Sequence, residues 1–164
     1  MTVPTRTTAD DTEDAVVFLI GMRIGSWWRL RQWLPVFLAM PRMLSELHSS
    51  QLGLLDARTY VSGRVLLVVQ YWSSSEALHA YARATDSEHL PAWRAFSRRA
   101  ATSPTVGIYH ETYLAPRQSR ESVYVSMPAH GLAAAVGSTP MAGSGAARRR
   151  RAAAGSEPAL TPAV

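Results

Sequence analysis

Apolar residues gather into short runs in the middle of the chain, separated by polar and glycine-containing segments. The runs are rich in β-branched residues and too short for typical helices, so each predicts a strand. They cover residues 15–24, 54–61, 65–72, 105–114 and 122–127. Between the second and the third run, Ser62-Gly63 predicts a tight hairpin turn.

Helical spacing marks two other segments. From Trp27 to about His48, apolar residues recur every three or four positions, which predicts a long helix that Pro41 should kink. Farther on, Ser73 and Glu76 form a capping-box pattern, with Ser73 as the N-cap of a second helix. The element order is therefore β-α-β-β-α-β with a terminal strand, an α+β arrangement of the ferredoxin-like kind.

The predicted strands are apolar on both faces. In the first strand, Phe18 and Ile20 alternate with Val17 and Leu19. Two helices cover only one face of a four-stranded sheet, and large exposed apolar patches are rare in soluble proteins. A second copy of the sheet is the simplest cover for the other face, so we expect a homodimer in the form of a dimeric α/β barrel.

Both ends of the chain have the composition of disordered segments. Residues 1–14 are polar and acidic, and residues 131–164 are dominated by Ala, Gly, Ser and Pro. We therefore expect a single domain over residues 15–130 between two disordered tails. The run Arg148 to Arg151 could contact RNA or acidic lipid, but a solvated tail is the simpler interpretation, and we expect no nucleic-acid partner. Neither an apolar leader nor a membrane-spanning stretch is apparent, which predicts a cytoplasmic protein.

Composition removes several kinds of chemistry. The 164 residues include no cysteine, and all 17 basic residues are arginine. Thiolate catalysis, iron–sulfur clusters and cysteine-rich zinc sites are therefore excluded. Schiff-base chemistry on lysine and the lysine of a phosphate-binding loop are excluded as well. The histidines and carboxylates show no ligand spacing, and we expect no metal.

Three polar residues interrupt the apolar strands. By alternation, Arg23, Gln70 and Glu111 could share one face of the sheet, with Gly21 leaving room beside them. A mostly apolar cavity with a few convergent polar groups is typical of a small-molecule site. An Arg23–Glu111 pair in such a cavity is one hypothesis, and a purely structural ion pair is the alternative.

Several segments together resemble a little-characterised family of monooxygenase-like proteins, similar to a fungal polyketide-pathway monooxygenase, within the dimeric α/β-barrel superfamily. The resemblance covers about residues 15–136. It rests on VVFLIGMRI (16–24), WW (27–28), RQWLPVFLAMPRML (31–44), VLLVVQYW (65–72), HLPAWRAF (89–96), VGIYHETY (106–113) and YVSMPAHGLAAA (124–135).

The resemblance implies an oxidoreductase of secondary metabolism, a monooxygenase acting on a small aromatic or polyketide-like molecule in a barrel cavity. The superfamily that it resembles includes oxygenases that need no cofactor, haem degraders, haem-dependent dehydratases and non-enzymatic proteins. We therefore expect no required cofactor, with a haem enzyme or a non-catalytic, small-molecule-binding dimer as alternatives.

His89 is the first catalytic candidate, because the resemblance implies that a histidine near this place faces the cavity. Imidazole can act as a general base near neutral pH, or as an axial ligand if haem is bound. A helix cap or a surface position is the alternative. His110 and Glu111 are further candidates, and at most one of them enters the cavity because neighbours in a strand point to opposite faces.

Aromatic and amide side chains supply the candidates for substrate contacts. Trp27, Trp28 and Trp33 flank two arginines, a combination that suits an aromatic substrate, a lipid interface or single-stranded nucleic acid. An aromatic anchor at the start of the helix is the simpler interpretation, with Trp28 as the indole that lines a pocket. The candidate substrate contacts are Trp28, Gln70, Trp72, Trp93 and Tyr109.

Overall fold

The computed structural model describes residues 5–10, 12–31, 33–34, 52–83 and 106–141. Seven strands and two helices lie wholly within these ranges. In chain order they are β1 (Arg6–Ala9), β2 (Ala15–Ile24), β3 (Leu54–Ser62), β4 (Val65–Trp72), α1 (Ser75–Arg83), β5 (Val106–Ala115), β6 (Tyr124–Val125), α2 (Leu132–Val136) and β7 (Ser138–Pro140).

Four of these strands form the main sheet, in the order β3-β4-β2-β5, and all neighbouring strands are antiparallel. The strand of this sheet that comes first in the chain, β2, therefore lies between β4 and β5, which is the order of a ferredoxin-like sheet. The predicted fold class is confirmed. The predicted bounds of the first four strands agree with the observed ones to within one residue because each apolar run ends at a turn or a polar segment.

The β3–β4 hairpin turns one residue later than the sequence suggests. Ser62 still pairs with Val65, so the two central residues are Gly63 and Arg64. Gly63 has a φ of 52°, while Arg64 does not have a positive φ. A positive φ at the first central position alone is the pattern of a type II′ turn, and glycine adopts it without strain.

Helix α1 packs on one face of the main sheet. Its N-cap is Ser74, whose Oγ accepts a hydrogen bond of 3.1 Å from the Ala77 backbone N–H, so the prediction of Ser73 as the cap is wrong. Leu78 from this helix is buried against Val16 and Trp72. The Ser73 backbone N–H instead donates to the Gly53 carbonyl and is not part of the cap.

The predicted helix from Trp27 to His48 falls mostly outside the described residues. Residues 30–31 and 33–34 are helical. Trp33 is buried at the opposite end of the sheet from Leu78, where it packs with Met22 and Ile24. The Trp33 indole N–H donates to the Trp27 carbonyl at 3.3 Å, which fixes the loop that leads into this helix.

A second, three-stranded sheet pairs the strand before the main sheet with two strands that follow it, in the order β6-β1-β7. The prediction of disorder is therefore wrong for residues 6–10 and 131–141. Thr8 and Ala9 are buried, and both form hydrogen bonds with Ser122. Thr8 Oγ1 donates to the Ser122 carbonyl at 2.8 Å, and the Ala9 N–H donates to the Ser122 Oγ at 2.9 Å. Composition missed these strands because their hydrogen bonds join residues far apart in the sequence.

The predicted terminal strand over 122–127 is much shorter than expected. Only Tyr124 and Val125 are in a strand, and they pair with β1 and not with the main sheet. Within the described residues, no helix is long and apolar enough to cross a membrane.

Candidate active site

The strand register assigns the main-sheet side chains to two faces. On the helix face, Phe18, Ile20 and Met22 of β2 lie opposite Thr112, His110 and Ile108 of β5. We call this the helix face because α1 and Trp33 pack on it. The open face carries the alternate residues, among them Leu19, Gly21 and Arg23 of β2 and Tyr109, Glu111 and Tyr113 of β5.

Two core clusters occupy the ends of the helix face. One contains Met22, Leu66 and Val106, and the other contains Val16 and Trp72. Between them, Phe18 and Ile20 of the central strand are only partly buried. Among the described residues, Phe18, which packs against the second cluster, and Ile20 therefore form a partly buried apolar floor in the middle of this face, on the side of β5.

His110 stands beside this floor. It pairs with Ile20 across the strands, and its ring lies 6.0 Å from the Phe18 ring, tilted by 41°. The His110 side chain is exposed, and no described side chain hydrogen-bonds to its ring nitrogens. One apolar wall and ring nitrogens that bond to no described side chain suit an imidazole that exchanges a proton with a bound molecule.

Glu111 lies on the open face and cannot act at the same site as His110. Its Oε2 accepts a hydrogen bond of 2.7 Å from the Tyr113 hydroxyl. This bond and the nearby carboxylate raise the pKa of Tyr113 above its ordinary value. The open face also carries Tyr109, whose ring lies across Gly21. The room that the sequence predicted beside Gly21 is therefore filled by an aromatic ring.

Arg23 and Glu111 do not form the predicted pair. Arg23 lies opposite Gly107, and Glu111 lies opposite Leu19. The two positions are four residues apart along the strands, or about 13 Å, although both are on the open face. The hypothesis of a polar cluster of Arg23, Gln70 and Glu111 is also wrong, because the register assigns Gln70 to the helix face.

Gln70 and Trp72 are core residues and do not line a pocket. The Trp72 indole N–H donates to Gln70 Oε1 at 2.9 Å, and both side chains are buried. The Trp72 ring also packs 5.5 Å from the Tyr81 ring of α1. The amide therefore satisfies a buried N–H, which is a structural role.

Of the remaining predicted site residues, Trp28 is on the surface. It is 94% exposed in the single chain, so the described residues of this chain do not enclose it, and its role in substrate binding stays a prediction. His89 and Trp93 lie outside the described residues, and their roles stay predictions. Among the described residues, no group of histidine and carboxylate side chains could hold a metal ion.

Sequence reasoning missed a group of tyrosines beside the segment 130–136, with Tyr60 and Tyr71 on the open face of the main sheet and Tyr124 in β6. Tyr60 and His130 share a hydrogen bond of 2.8 Å. The Tyr71 hydroxyl accepts from the Leu132 N–H, and Tyr124 accepts from the Ala133 N–H. We call this group with residues 130–136 the C-terminal clasp. Tyr60, Tyr71 and Tyr124 show no common spacing, and tyrosine is common in strands, so no signal in the sequence singles them out.

Comparison with known proteins decides the family. Residues 15–132 match the model of the family described as Monooxygenase af470-like. The chain belongs to this family. The matched range of the af470-like family includes all four strands of the main sheet and His110.

Solved structures match this af470-like chain at low sequence identity. The aldoxime dehydratase OxdRE, in complex with butyraldoxime, has a TM-score of 0.64 at 13% identity over 82% of this chain, which spans only 39% of the dehydratase. The cofactor-independent oxygenase SnoaB from Streptomyces nogalater has a TM-score of 0.42 at 12% identity, covering 61% of this chain and 91% of SnoaB.

A dimeric ferredoxin-like protein from an uncultured marine organism has a TM-score of 0.45 at 17% identity, covering 65% of this chain and 91% of that protein. Among curated proteins, none matches this sequence. Family membership supports an oxidoreductase-like, monooxygenase-like protein and leaves the substrate open.

Proposed function

We propose that this chain is a monooxygenase that acts on a small aromatic or polyketide-like molecule, bound on the helix face beside His110. Membership of the af470-like family supports the reaction class. The observation that carries the site is the position of His110, which is exposed and whose ring lies 6.0 Å from the ring of the partly buried Phe18. Phe18 and Ile20 would pack against the substrate, and the imidazole would face its acidic group.

The proposed reaction needs only molecular oxygen as the oxidant. His110 takes a proton from a CH2 group acidified by neighbouring aromatic rings, and the resulting carbanion transfers electrons to O2 and forms a C–O bond. The second C–H proton then leaves while the O–O bond breaks. One oxygen atom remains as a carbonyl and the other departs as water, so CH2 and O2 give C=O and H2O.

Thr112 is the other polar side chain that β5 places on the helix face near His110, opposite Phe18. Its hydroxyl is in a position to donate a hydrogen bond to the oxygen anion that develops on the substrate. Arg23, which the alternation of the sequence grouped with Gln70 and Glu111 in a possible cavity, lies on the open face. We therefore assign the base to His110 and anion stabilisation to Thr112.

Oxygen uptake with a panel of phenolic and anthrone-like compounds tests this proposal. We expect His110→Gln to lower kcat by a factor of about 10² to 10⁴, the usual contribution of a general base. Glu111→Gln is the matched control, since it changes the adjacent residue on the opposite face and should leave kcat unchanged. Equal losses of kcat in both variants, or a loss of kcat in Glu111→Gln alone, would contradict the assignment of His110 as the base.

A haem enzyme is the second candidate, and the likeness of the fold to an aldoxime dehydratase favours it. Neutral imidazole is a common ligand of haem iron. The described part of the helix face offers one imidazole, that of His110, and no arginine to bind the propionates. His89, the axial ligand suggested by the sequence, lies outside the described residues. Haem would supply an iron centre able to bind and activate the substrate.

The visible spectrum of the purified protein, before and after addition of haemin, separates the two candidates. A Soret band that disappears in His89→Ala would favour the haem enzyme. A spectrum that matches free haemin, together with oxygen uptake that depends on His110, would favour the proposed oxygenase. Neither a Soret band nor oxygen uptake would favour a non-catalytic binding or structural protein.

We also propose that two copies pair through the open face. The C-terminal clasp covers this face near β3 and β4, but Leu19 and Leu67 are only partly buried, and Tyr109 and Tyr113 are exposed. A two-fold partner would cover these residues with the same patch. Light scattering should give a particle mass of twice the chain mass of 17.9 kDa, and Leu67→Glu should lower the particle mass to that of a single chain. Leu114→Glu, on the helix face, should keep the dimer.

A further inference from the structure

Tryptophan and arginine side chains share one exposed end of the main sheet. At this end, Ile24 finishes β2 and the Gly63-Arg64 turn joins β3 to β4. Trp28 is 94% exposed, and Leu30 and Val61 at the same end of the sheet are 52% and 67% exposed. We call this surface the Trp28 patch. It consists of Arg23, Trp27, Trp28, Arg29, Leu30, Arg31, Val61 and Arg64.

The loop that carries Trp28 is held in place from both sides. The Arg64 guanidinium donates to the Gly25 carbonyl at 2.8 Å, and the Ile24 N–H donates to the Arg64 carbonyl at 2.8 Å. The buried Trp33 bonds to the Trp27 carbonyl, and the two indole rings meet edge to face at 5.4 Å. Trp28 is therefore presented to solvent by a fixed loop, although an indole normally buries most of its surface.

The charge of the patch has one sign. Arg23, Arg29, Arg31 and Arg64 are all exposed, and the described segments that form the patch, residues 22–31 and 61–66, contain no acidic residue. The acidic residues near the ends of the main-sheet strands lie at the opposite end, where Asp14 precedes β2 and Asp56 lies near the start of β3. The partner of the patch should therefore be anionic.

We propose that the Trp28 patch binds the surface of an anionic lipid bilayer. Indole rings prefer the boundary between headgroups and acyl chains, and arginines beside them pair with anionic headgroups. Leu30 and Val61 favour lipid over a nucleic acid, because aliphatic side chains gain from acyl chains and offer no stacking surface to bases. An enzyme docked in this way would meet apolar substrates that partition into membranes.

Vesicle partitioning of the full chain in 0.15 M salt tests the proposal. Vesicles of phosphatidylcholine with about one third phosphatidylglycerol should bind the protein, and pure phosphatidylcholine should bind it far less. Trp28→Ser should lower the partition coefficient about tenfold or more, since it removes the largest inserted side chain. Arg29→Gln with Arg31→Gln should lower it about fivefold for each charge. Trp28 is so exposed that its replacement should not disturb folding.

Matched controls separate the patch from general stickiness and general charge. Met127→Ser removes an apolar side chain that is 53% exposed elsewhere, and Arg6→Gln with Arg83→Gln removes two distant exposed charges. The partition coefficients of both control variants should stay within about twofold of the wild-type value. The distant arginines should contribute little, because charges more than about 8 Å from a contact are screened at this salt concentration. Replacing the run Arg148 to Arg151 with glutamine should leave the Trp28 dependence intact.

Four results would overturn the proposal. The first is wild-type protein that does not bind the anionic vesicles, and the second is equal loss in the control variants. The third is a change of molecular mass in Trp28→Ser, which would make the patch an interface between copies. The fourth is Trp28-dependent binding to a single-stranded oligonucleotide in the absence of Trp28-dependent vesicle binding.

Discussion

The ring of Tyr109 lies across Gly21 on the neighbouring strand, in the space that a side chain at position 21 would occupy. Gly21→Ala should therefore displace the ring and lower the free energy of unfolding by about 1–3 kcal/mol. In a Tyr109→Ala background the same substitution should be nearly neutral, since the ring is gone. Chemical denaturation of the four proteins measures this coupling.

Gly107→Ala is the matched control for this prediction. Gly107 is a strand residue on the same face, but a Cβ there would meet the Arg23 Cβ at 3.8 Å, an ordinary contact. Gly107→Ala should therefore change the free energy of unfolding little. An equal loss for Gly21→Ala with and without the Tyr109 ring would show that the cost arises elsewhere.

Gln70→Leu should destabilise the protein without changing how it binds a substrate. The substitution removes the acceptor of the buried Trp72 indole N–H, which costs about 1–3 kcal/mol. The double variant Gln70→Leu with Trp72→Phe removes donor and acceptor together and should recover part of that loss. Thermal unfolding measures both. A raised KM at unchanged stability would instead restore the substrate-binding role first suggested by the sequence.

Tyr71 should make the protein less stable at high pH. Burial raises the Tyr71 pKa above its ordinary value of 10.0, and the nearby Tyr124, Tyr60 and Asp56 add to this effect, while the Leu132 N–H opposes it. The unfolded chain therefore ionises first. The contribution of Tyr71 to stability is full below pH 10 and is lost as the pH rises through the raised pKa.

Unfolding experiments between pH 8 and pH 11 would measure this dependence, with these limits chosen to span roughly the ordinary tyrosine pKa. Tyr71→Phe should flatten the alkaline decline. At neutral pH it should cost about 0.5–1.5 kcal/mol for the lost hydrogen bond to Leu132. Tyr109→Phe, which changes a tyrosine on the same face outside the C-terminal clasp, should keep the decline. A decline of wild-type steepness in Tyr71→Phe would contradict the assignment.

Ser74→Ala should remove the cap of α1 and lower stability by about 1 kcal/mol. The Ser74 hydroxyl satisfies the Ala77 N–H. The Glu76 pKa is lowered mainly by a hydrogen bond from its own backbone N–H and secondly by one from the Ser74 hydroxyl. Ser73→Ala is the control, because the sequence pattern makes it the cap and the structure does not. Denaturant midpoints would rank the two variants, and a larger loss in Ser73→Ala would restore the cap predicted from sequence.

The strands of the main sheet could be predicted from sequence because each is a compact apolar run, and the order of elements then fixed the fold class. The same reasoning missed β1 and β7. The tetrapeptide Arg6–Ala9 has no apolar alternation, and its partners are at the other end of the chain. Strand pairing of this kind depends on contacts that local patterns do not record.

The candidate site could be predicted only in part. Alternation alone separates His110 from Glu111, but it does not say which of them shares a face with the helices. Gln70 shows the same limit, since a polar residue in an apolar strand suggests a binding group as readily as a buried hydrogen-bond acceptor. Only its contact with the Trp72 indole identifies the second role.

The position of β1 between β6 and β7 has a consequence for the order of folding. During synthesis, β1 leaves the ribosome first, whereas the Ser122 that bonds to Thr8 is 114 residues away. The main sheet can assemble while β1 still has no partner, so the small sheet should form last. Closure of so long a loop is slow, and a release of the amino-terminal strand would free both carboxyl-terminal strands at once.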